Sequence, residues 1–233
     1  MTKEQFQDGQ LLLIDKPLGW TSFQVVNKLR WSIRKQFHIK KIKVGHAGTL
    51  DPLASGLLVI CTGKFTKKIN EYQGLPKEYT GTFTLGATTP SFDLETDINQ
   101  VFSIEHITKK LIVETTKKFI GEIEQKPPVF SAIKKDGKRL YEMARKGEAV
   151  SIKSRKVHIY EFEITKIALP NVEFRVKCSK GTYIRSLADD FGKALESGAH
   201  LSALRRTKIG ELSVKNSISP LSFVKQLEGL KES

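Results

Sequence analysis

The residues best suited to chemistry lie at positions 45–56, where the chain carries a single carboxylate, Asp51. No other Asp or Glu occurs between positions 16 and 70, although this stretch contains eleven Lys and Arg residues. Nearby positive charge favours the ionised form of a carboxylic acid. An ionised carboxylate can attack an electrophilic carbon or accept a proton. Asp51 is therefore either a group that does chemistry or a turn or capping acid before Pro52, and for a lone Asp the second interpretation is normally favoured.

Glycine and proline residues shape the chain around Asp51. Gly45, Gly48 and Gly56 permit tight turns and let the backbone approach a ligand closely. Pro52 disfavours a helical conformation for the residue before it, which is Asp51. We therefore expect a rigid loop that presents one acid within a basic surface, with Gly45 and Gly48 supporting its shape.

The composition predicts a folded protein that binds a polyanion. The chain has 233 residues, of which 39% are hydrophobic and 27% are charged, and its formal net charge is +14. This balance is too apolar for a disordered chain and too interrupted by charge for a membrane protein. A large positive charge favours the phosphates of nucleic acid, although anionic membranes and acidic proteins attract basic chains too. Because no basic helix with an aromatic face stands out, a membrane surface is the less favoured partner.

The N-terminal segment and the cysteines indicate a cytoplasmic protein. No apolar signal region follows the polar N-terminus, and the apolar run at residues 56–61 is too short to cross a bilayer. Cys61 and Cys178 are far apart and lack the spacing of metal ligands. We therefore expect two buried thiols in a reducing compartment and no metal.

The hydrophobic pattern predicts a mixture of strands and helices. Continuous apolar runs predict buried strands at 11–17 and 57–61. Alternating apolar and polar residues predict strands at 78–85, 157–167 and 172–178, the last two forming a hairpin. Apolar spacings of three and four predict amphipathic helices. The first helix is expected to start at Thr21 or Ser22, with apolar positions Phe23, Val26, Leu29, Ile33 and Phe37. The second is expected to start at Ser103 and run to Phe119. The third is expected to begin before Leu187 and the fourth at Pro220.

Two basic segments are candidates for contact with RNA. The helix at residues 23–37 is rich in Lys and Arg outside its apolar positions, which fits an RNA-contacting face or a solvated face equally well. Residues 127–155 contain eight Lys and Arg residues. We favour a clamp that holds nucleic acid there over a solvated loop and helix.

Six blocks in a fixed order resemble the TruB-type tRNA pseudouridine synthases. The resemblance covers roughly residues 10–215, and several ordered blocks are far more specific than any one of them. It implies an α/β (α+β) pseudouridine synthase fold with a largely antiparallel central sheet, flanking helices and a catalytic cleft. It also implies isomerisation of uridine 55 in the T-loop of tRNA without metal or organic cofactor. The blocks are KPLGWTS at 16–22, residues 45–56, KEY at 77–79, PPVFSAIK at 127–134, SKGTYIR at 179–185 and LRR at 204–206.

The resemblance implies a catalytic role for three side chains. Asp51 would be the nucleophile, and Arg185 would hold it ionised and oriented, as a guanidinium can do in a bidentate pair. Tyr79 would stack on the uracil and relay a proton. Without the resemblance, Arg185 would instead pair with Asp189 or Asp190, and Tyr79 would be a cross-strand aromatic of the sheet.

Five further residues are expected to bind substrate or support the loop. By resemblance, His46 takes the place of the extruded nucleotide and stacks on its neighbours, which fits the stacking common in recognition of RNA loops. Tyr183 and Leu204 are expected to line the uracil pocket, with core packing as the alternative for both. Lys16 and Pro17 are expected to brace the Asp51 loop.

The sequence predicts one catalytic domain at residues 1–218, which includes the basic segment at about 127–155, and a short helical tail at 219–233. Bacterial members of the family usually continue into a small C-terminal RNA-binding module, and the few residues left here are too short for a stable extra domain. The high positive charge is the expected compensation. The expected partner is the T-arm of tRNA, bound by a cytoplasmic monomer without a small-molecule cofactor or membrane contact.

Two other functions compete with this interpretation. One is a tRNA-binding chaperone whose role does not depend on catalysis. The other is a glycoside-processing hydrolase that uses Asp51 with Asp93 or Glu95, but the long acid-free span around Asp51 argues against paired carboxylates. Within the main interpretation, attack at C1′, attack at C6 and simple proton abstraction all stay open.

Overall fold

The computed structural model describes residues 1–131, 134–135, 138–139 and 152–230. Most of the predicted basic clamp at 127–155 lies outside these residues, so its role stays a prediction. None of the helices in the described ranges is long and apolar enough to cross a membrane. The helices are α1 (Lys3–Asp8), α2 (Ser22–Gln36), α3 (Ile69–Gly74), α4 (Lys109–Thr116), α5 (Ile184–Ala194) and α6 (Pro220–Glu228).

Nine strands form one mixed sheet in the described part of the chain. The order is β1-β3-β12-β4-β11-β10-β7, with β2 beside β3 and β13 beside β12. The β1–β3, β2–β3, β7–β10 and β10–β11 pairs are antiparallel, whereas β3 and β12 run parallel. This confirms the predicted fold class. The strands are β1 (Leu11–Lys16), β2 (Val44–His46), β3 (Ala54–Thr62), β4 (Lys77–Leu85), β5 (Ala87–Thr88), β6 (Gln100–Val101), β7 (Gly121–Gln125), β8 (Lys134–Lys135), β9 (Lys138–Arg139), β10 (Arg155–Ala168), β11 (Asn171–Cys178), β12 (Ala199–Ile209) and β13 (Leu212–Ser213).

The chain divides into two compact units. The first contains Met1–Tyr79 together with Leu204–Ser233, and the second contains Thr80–Ala203. The last helix, α6, contributes Phe223 and Leu227 to the core of the first unit. The segment predicted as a tail from residue 219 therefore supplies core residues.

Helix α2 is the main helix of the first unit. Thr21 is its N-cap and forms a capping box with Gln24. The buried side includes Leu29 and packs against α6. The prediction that Phe23 belongs to the buried side is wrong, because Phe23 is 65% exposed. It lies six residues before Leu29, which places it about 120° around the helix from that core residue.

Aromatic packing forms the core of the second unit. The rings of Phe83 and Phe174 stack at a centroid distance of 4.1 Å, and Phe162 and Phe191 lie 5.5 Å apart. Because Phe191 belongs to α5, this packing fixes the helix that carries Arg185.

The helix predicted to start at Ser103 begins later. Thr108 is the N-cap, and its hydroxyl accepts a hydrogen bond from the Leu111 amide. The Ser103 hydroxyl accepts from the Glu105 amide instead, which closes a turn. Two residues able to cap a helix compete within one stretch, and the second begins α4.

Both cysteines are buried, as predicted. Cys61 lies in β3 and Cys178 lies in β11. Burial raises the pKa of the Cys61 thiol to about 11, so this side chain is inert as a nucleophile at neutral pH.

Candidate active site

The loop that carries Asp51 is held on both sides of the carboxylate by the turn before α2 and by the first residue of α2. The Ser22 hydroxyl accepts from the Leu50 amide at 2.9 Å and donates to the Leu50 carbonyl at 3.1 Å. The Gly19 amide donates to the Pro52 carbonyl at 2.9 Å. Since Leu50 and Pro52 flank Asp51, these bonds fix the backbone on either side of the carboxylate. Sequence analysis treated Ser22 only as a possible cap, and its spacing from Leu50 gave no signal of this contact.

Arg206 supports the same loop from the strand behind it. Its side chain is 1% exposed. The guanidinium donates to the carbonyls of Leu57 at 2.8 Å, Gly48 at 3.0 Å and Thr49 at 3.4 Å. Gly56 has φ +103°, and a Cβ on it would lie 2.3 Å from the Arg206 carbonyl oxygen. Only glycine therefore allows β3 and β12 to pair this closely, and sequence analysis gave Arg206 no role.

Lys16 lies buried beside this loop. Its ammonium donates to the carbonyls of Trp20 at 2.5 Å and Pro17 at 3.0 Å. Burial lowers its pKa to about 8, the charge of Asp51 opposes this shift, and the charge of Arg206 adds to it. The side chain thus places a positive charge near Asp51 and bonds to the turn that holds the loop. Its expected supporting role stays a prediction.

His46 ends β2 and is half-buried beside the loop. Burial lowers the pKa of its imidazole and the charge of Arg206 lowers it further, while a backbone hydrogen bond with Gly48 raises it. The ring is therefore mostly neutral at pH 7. A neutral, planar ring suits the stacking role expected of His46. The geometry of the site does not test this role, which stays a prediction.

Tyr79 and Leu204 lie on two different strands of the sheet. Tyr79 is on β4 and is buried. Leu204 is half-buried on β12 and pairs in register with Ala54, three residues after Asp51. The structure thus brings Leu204 to the end of the Asp51 loop, and the pocket roles of Tyr79 and Leu204 stay predictions.

Arg185 lies in the first turn of α5, in the second unit. Its Nε is 3.5 Å from Asp93 Oδ2, and the two side chains are 4% and 6% exposed. Its Nη1 donates to the Ser91 carbonyl at 3.3 Å. The alternative partner Asp189 is 2.6 Å from Lys193. Asp93 was expected only as a second acid for a hydrolase, whereas in the structure it forms a buried ion pair with Arg185.

Tyr183 is the N-cap of the same helix and is held by Gln125. The Gln125 amide nitrogen donates to the Tyr183 carbonyl at 3.0 Å, and its oxygen accepts from the Tyr183 amide at 2.8 Å. The Arg155 guanidinium lies 4.6 Å from the centroid of the Tyr183 ring and also donates to the Gly181 carbonyl. Gln125 was not predicted from the sequence. Its side chain is fully buried, and its amide pairs with the Tyr183 backbone as a second peptide group would.

Comparison with known families shows which family this chain belongs to. Residues 34–184 match the family model described as TruB family pseudouridylate synthase, N-terminal domain. The chain belongs to the TruB family. Residues 185–229 match a second model, the tRNA pseudouridylate synthase B C-terminal domain. The resemblance drawn from the six sequence blocks is thereby confirmed, as is the expectation of a pseudouridine-forming enzyme.

Two relatives in the TruB family show how far the similarity extends. A protein from Flavobacterium johnsoniae named tRNA pseudouridine synthase B is 66% identical over 229 residues, which is 98% of this chain and 100% of the relative. A protein of the same name from Phocaeicola vulgatus is 56% identical over 223 residues, which is 96% of this chain and 95% of the relative.

Solved structures share the TruB fold. A chain in a Cbf5-Nop10-Gar1 complex has a TM-score of 0.71 and 30% identity, with 98% of this chain covered. A chain in an H/ACA RNP bound to a substrate RNA containing 2′-deoxyuridine has a TM-score of 0.69 and 29% identity, with 97% covered. This chain spans 59% and 57% of the length of those two chains.

Proposed function

We propose that this protein isomerises uridine 55 in the T-loop of tRNA to pseudouridine, with Asp51 as the nucleophile. The observation that carries the proposal is the support of one carboxylate loop by Ser22, Gly19 and Arg206, beside the buried ammonium of Lys16. The names of the close relatives supply the substrate class. The enzyme then acts on the T-arm as a cytoplasmic monomer.

The reaction begins with removal of the target uridine from the RNA stack. A stacked and paired base hides its reactive atoms, and its extrusion costs about a few kcal/mol. His46 fills the space that the base leaves, and Tyr79, Tyr183 and Leu204 enclose the uracil. This assignment follows the family blocks, and the half-buried, neutral ring of His46 supports it.

The chemical step exchanges one glycosidic bond for another. The C1′–N1 bond breaks, the uracil turns, and the C1′–C5 bond forms. C5 loses a proton and N1, which has none in uridine, gains one, so no atom is gained or lost overall. Asp51 acts as the nucleophile and Tyr79 handles the proton at C5, while Arg185 orients the carboxylate.

The electrostatics of the loop suit an ionised nucleophile. Below pH 8 the Lys16 ammonium is mostly charged, because its pKa is about 8. The guanidinium of Arg206 adds a second positive charge that is buried. Positive charge held at fixed positions near a carboxylate favours its charged form without reorganisation during the reaction.

The decisive experiment compares Asp51→Asn with a matched control, Asp8→Asn, whose exposed carboxylate pairs with Lys64 away from the loop. Turnover is measured as release of tritium from tRNA labelled at uridine C5, and binding is measured by filter retention. We expect Asp51→Asn to lose at least about a thousandfold in turnover, because nucleophilic catalysis is abolished. Binding should stay within about threefold of the wild type.

Four results would count against the proposal. Full turnover by Asp51→Asn would remove the nucleophile assignment. Modification that persists on tRNA with cytidine at position 55 would remove the site assignment. Release of free uracil would favour the hydrolase. Normal tRNA folding by a wild-type protein that makes no pseudouridine would favour the chaperone.

A further inference from the structure

The side of α2 that faces away from the core carries two exposed aromatic residues among cations. Phe23 is 65% exposed and Trp31 is 55% exposed. Successive residues of an α-helix are rotated by about 100° around its axis. By this rotation the two aromatic side chains and three cationic ones, Lys28, Arg34 and Lys35, fall within roughly 140° of the helix circumference. We call this sector, which also contains Gln24 and Asn27, the outer face of α2; its aromatic and cationic residues are Phe23, Lys28, Trp31, Arg34 and Lys35. The expectation that no basic helix carries an aromatic face is therefore wrong.

Trp31 is the centre of the outer face. The ammonium nitrogens of Lys35 and Lys28 lie 5.2 Å and 6.0 Å from the centroid of its ring. Within the described ranges, neither ammonium has a carboxylate at ion-pair distance, and α2 itself contains no Asp or Glu. An exposed indole between ammonium groups offers stacking and positive charge at one place.

The outer face starts at the candidate active site. Ser22, the first residue of α2, holds the backbone next to Asp51 through its two bonds to Leu50. With a rise of about 1.5 Å per residue, Trp31 lies roughly 14 Å further along the helix. A polymer that delivers one nucleotide to Asp51 therefore has neighbouring segments within reach of this face.

We propose that the outer face of α2 is a second RNA-contact surface. An unpaired base stacks on Trp31, and phosphates contact Lys28 and Lys35. The occupant is a part of the substrate RNA outside the T-arm hairpin. The inference rests on the proposed function for the identity of the RNA, but not on the role of Asp51.

The composition of the outer face favours RNA over a lipid surface. Membrane-bound helices bury a continuous apolar face, whereas the apolar face of α2 packs against α6 in the core. Between Phe23 and Trp31 the outer face also carries the polar Asn27. Single aromatic groups separated by polar and basic groups match the alternation of bases and phosphates in a single strand.

The test measures the affinity of Trp31→Ala for a full-length tRNA transcript and for an isolated T-arm hairpin. We expect tRNA binding to weaken about tenfold, because one base–aromatic stack is lost, and hairpin binding to stay within about twofold. Trp31→Phe keeps a ring and should restore most of the affinity. Leu221→Ala is the matched control, since Leu221 is similarly exposed on α6.

A second measurement separates contact from damage to the fold. The wild type should show a tryptophan emission component that tRNA quenches and that is absent in Trp31→Phe. Trp31→Ala should melt at the same temperature as the wild type. Unchanged tRNA affinity in Trp31→Ala would overturn the proposal, as would an equal loss for tRNA and hairpin. Trp31-dependent binding to vesicles of phosphatidylglycerol and phosphatidylcholine, with tRNA binding unaffected, would assign the face to a membrane instead. The proposed function is tested by the turnover of Asp51→Asn, and this inference is tested by the affinities above, so the failure of one can be distinguished from the failure of the other.

Discussion

Replacement of Lys16 by Met removes a positive charge that is fully buried beside the Asp51 loop. Burial lowers the pKa of this ammonium from 10.5 to about 8. Keeping it charged in the folded protein therefore costs about 3 kcal/mol at neutral pH. The cost is complete below the folded pKa and disappears as the pH rises from about 8 to about 10.5, where the lysine of the unfolded chain also loses its proton.

Lys16→Met carries no such cost at any pH. The difference in free energy of unfolding between the wild type and Lys16→Met should therefore move in favour of the wild type by about 2 kcal/mol between about pH 7 and pH 9.5. Urea denaturation at both pH values, followed by circular dichroism, measures this difference. Lys3→Met, at an exposed lysine of α1, is the control and should show a constant difference. A difference for Lys16→Met that does not change with pH would refute the reasoning.

Substitutions at three further positions test two supports of the site, Arg206 and Asp93, and one acid of α5, Asp190. Arg206→Met should slow turnover about a hundredfold, because the loop backbone is released. Arg206→Lys should recover part of the rate. Both are checked by kcat and KM measured from tritium release. Asp93→Asn should lower the free energy of unfolding by about 3 kcal/mol, because it removes a buried partner of Arg185, as urea titration will show. Burial and Asp189 raise the pKa of Asp190 from 3.8 to about 6, so Asp190→Asn should raise stability by about 3 kcal/mol at pH 7 and leave it unchanged below about pH 3.8.

Local patterns in the sequence were sufficient to predict much of the fold. The hairpin of β10 and β11 followed from alternation of apolar and polar residues, which directly reflects the two faces of a strand. Helix α2 followed from the cap at Thr21 and the spacing of its core residues. Phe23 was misplaced, because apolar character alone does not reveal which hydrophobic residue a core leaves out.

The supports of the site were not predictable from sequence, since they join residues that are distant in the chain. Ser22 bonds to Leu50, 28 positions away, and Gln125 bonds to Tyr183, 58 positions away. Arg206 reaches Gly48 across 158 positions. Each contact satisfies a buried polar group, which tertiary structure requires but which leaves no periodic trace in sequence.

The parallel pairing of β3 with β12 has a consequence for protein synthesis. Residues 54–56 align with residues 204–206, so the ribosome has made most of the polypeptide before the Arg206 guanidinium can reach the Gly48 and Thr49 carbonyls. A nascent or prematurely terminated chain has the Ser22 and Gly19 contacts to the Asp51 loop but lacks the Arg206 contacts. In such a chain the Gly48 and Thr49 carbonyls gain their guanidinium partner only when β12 is added.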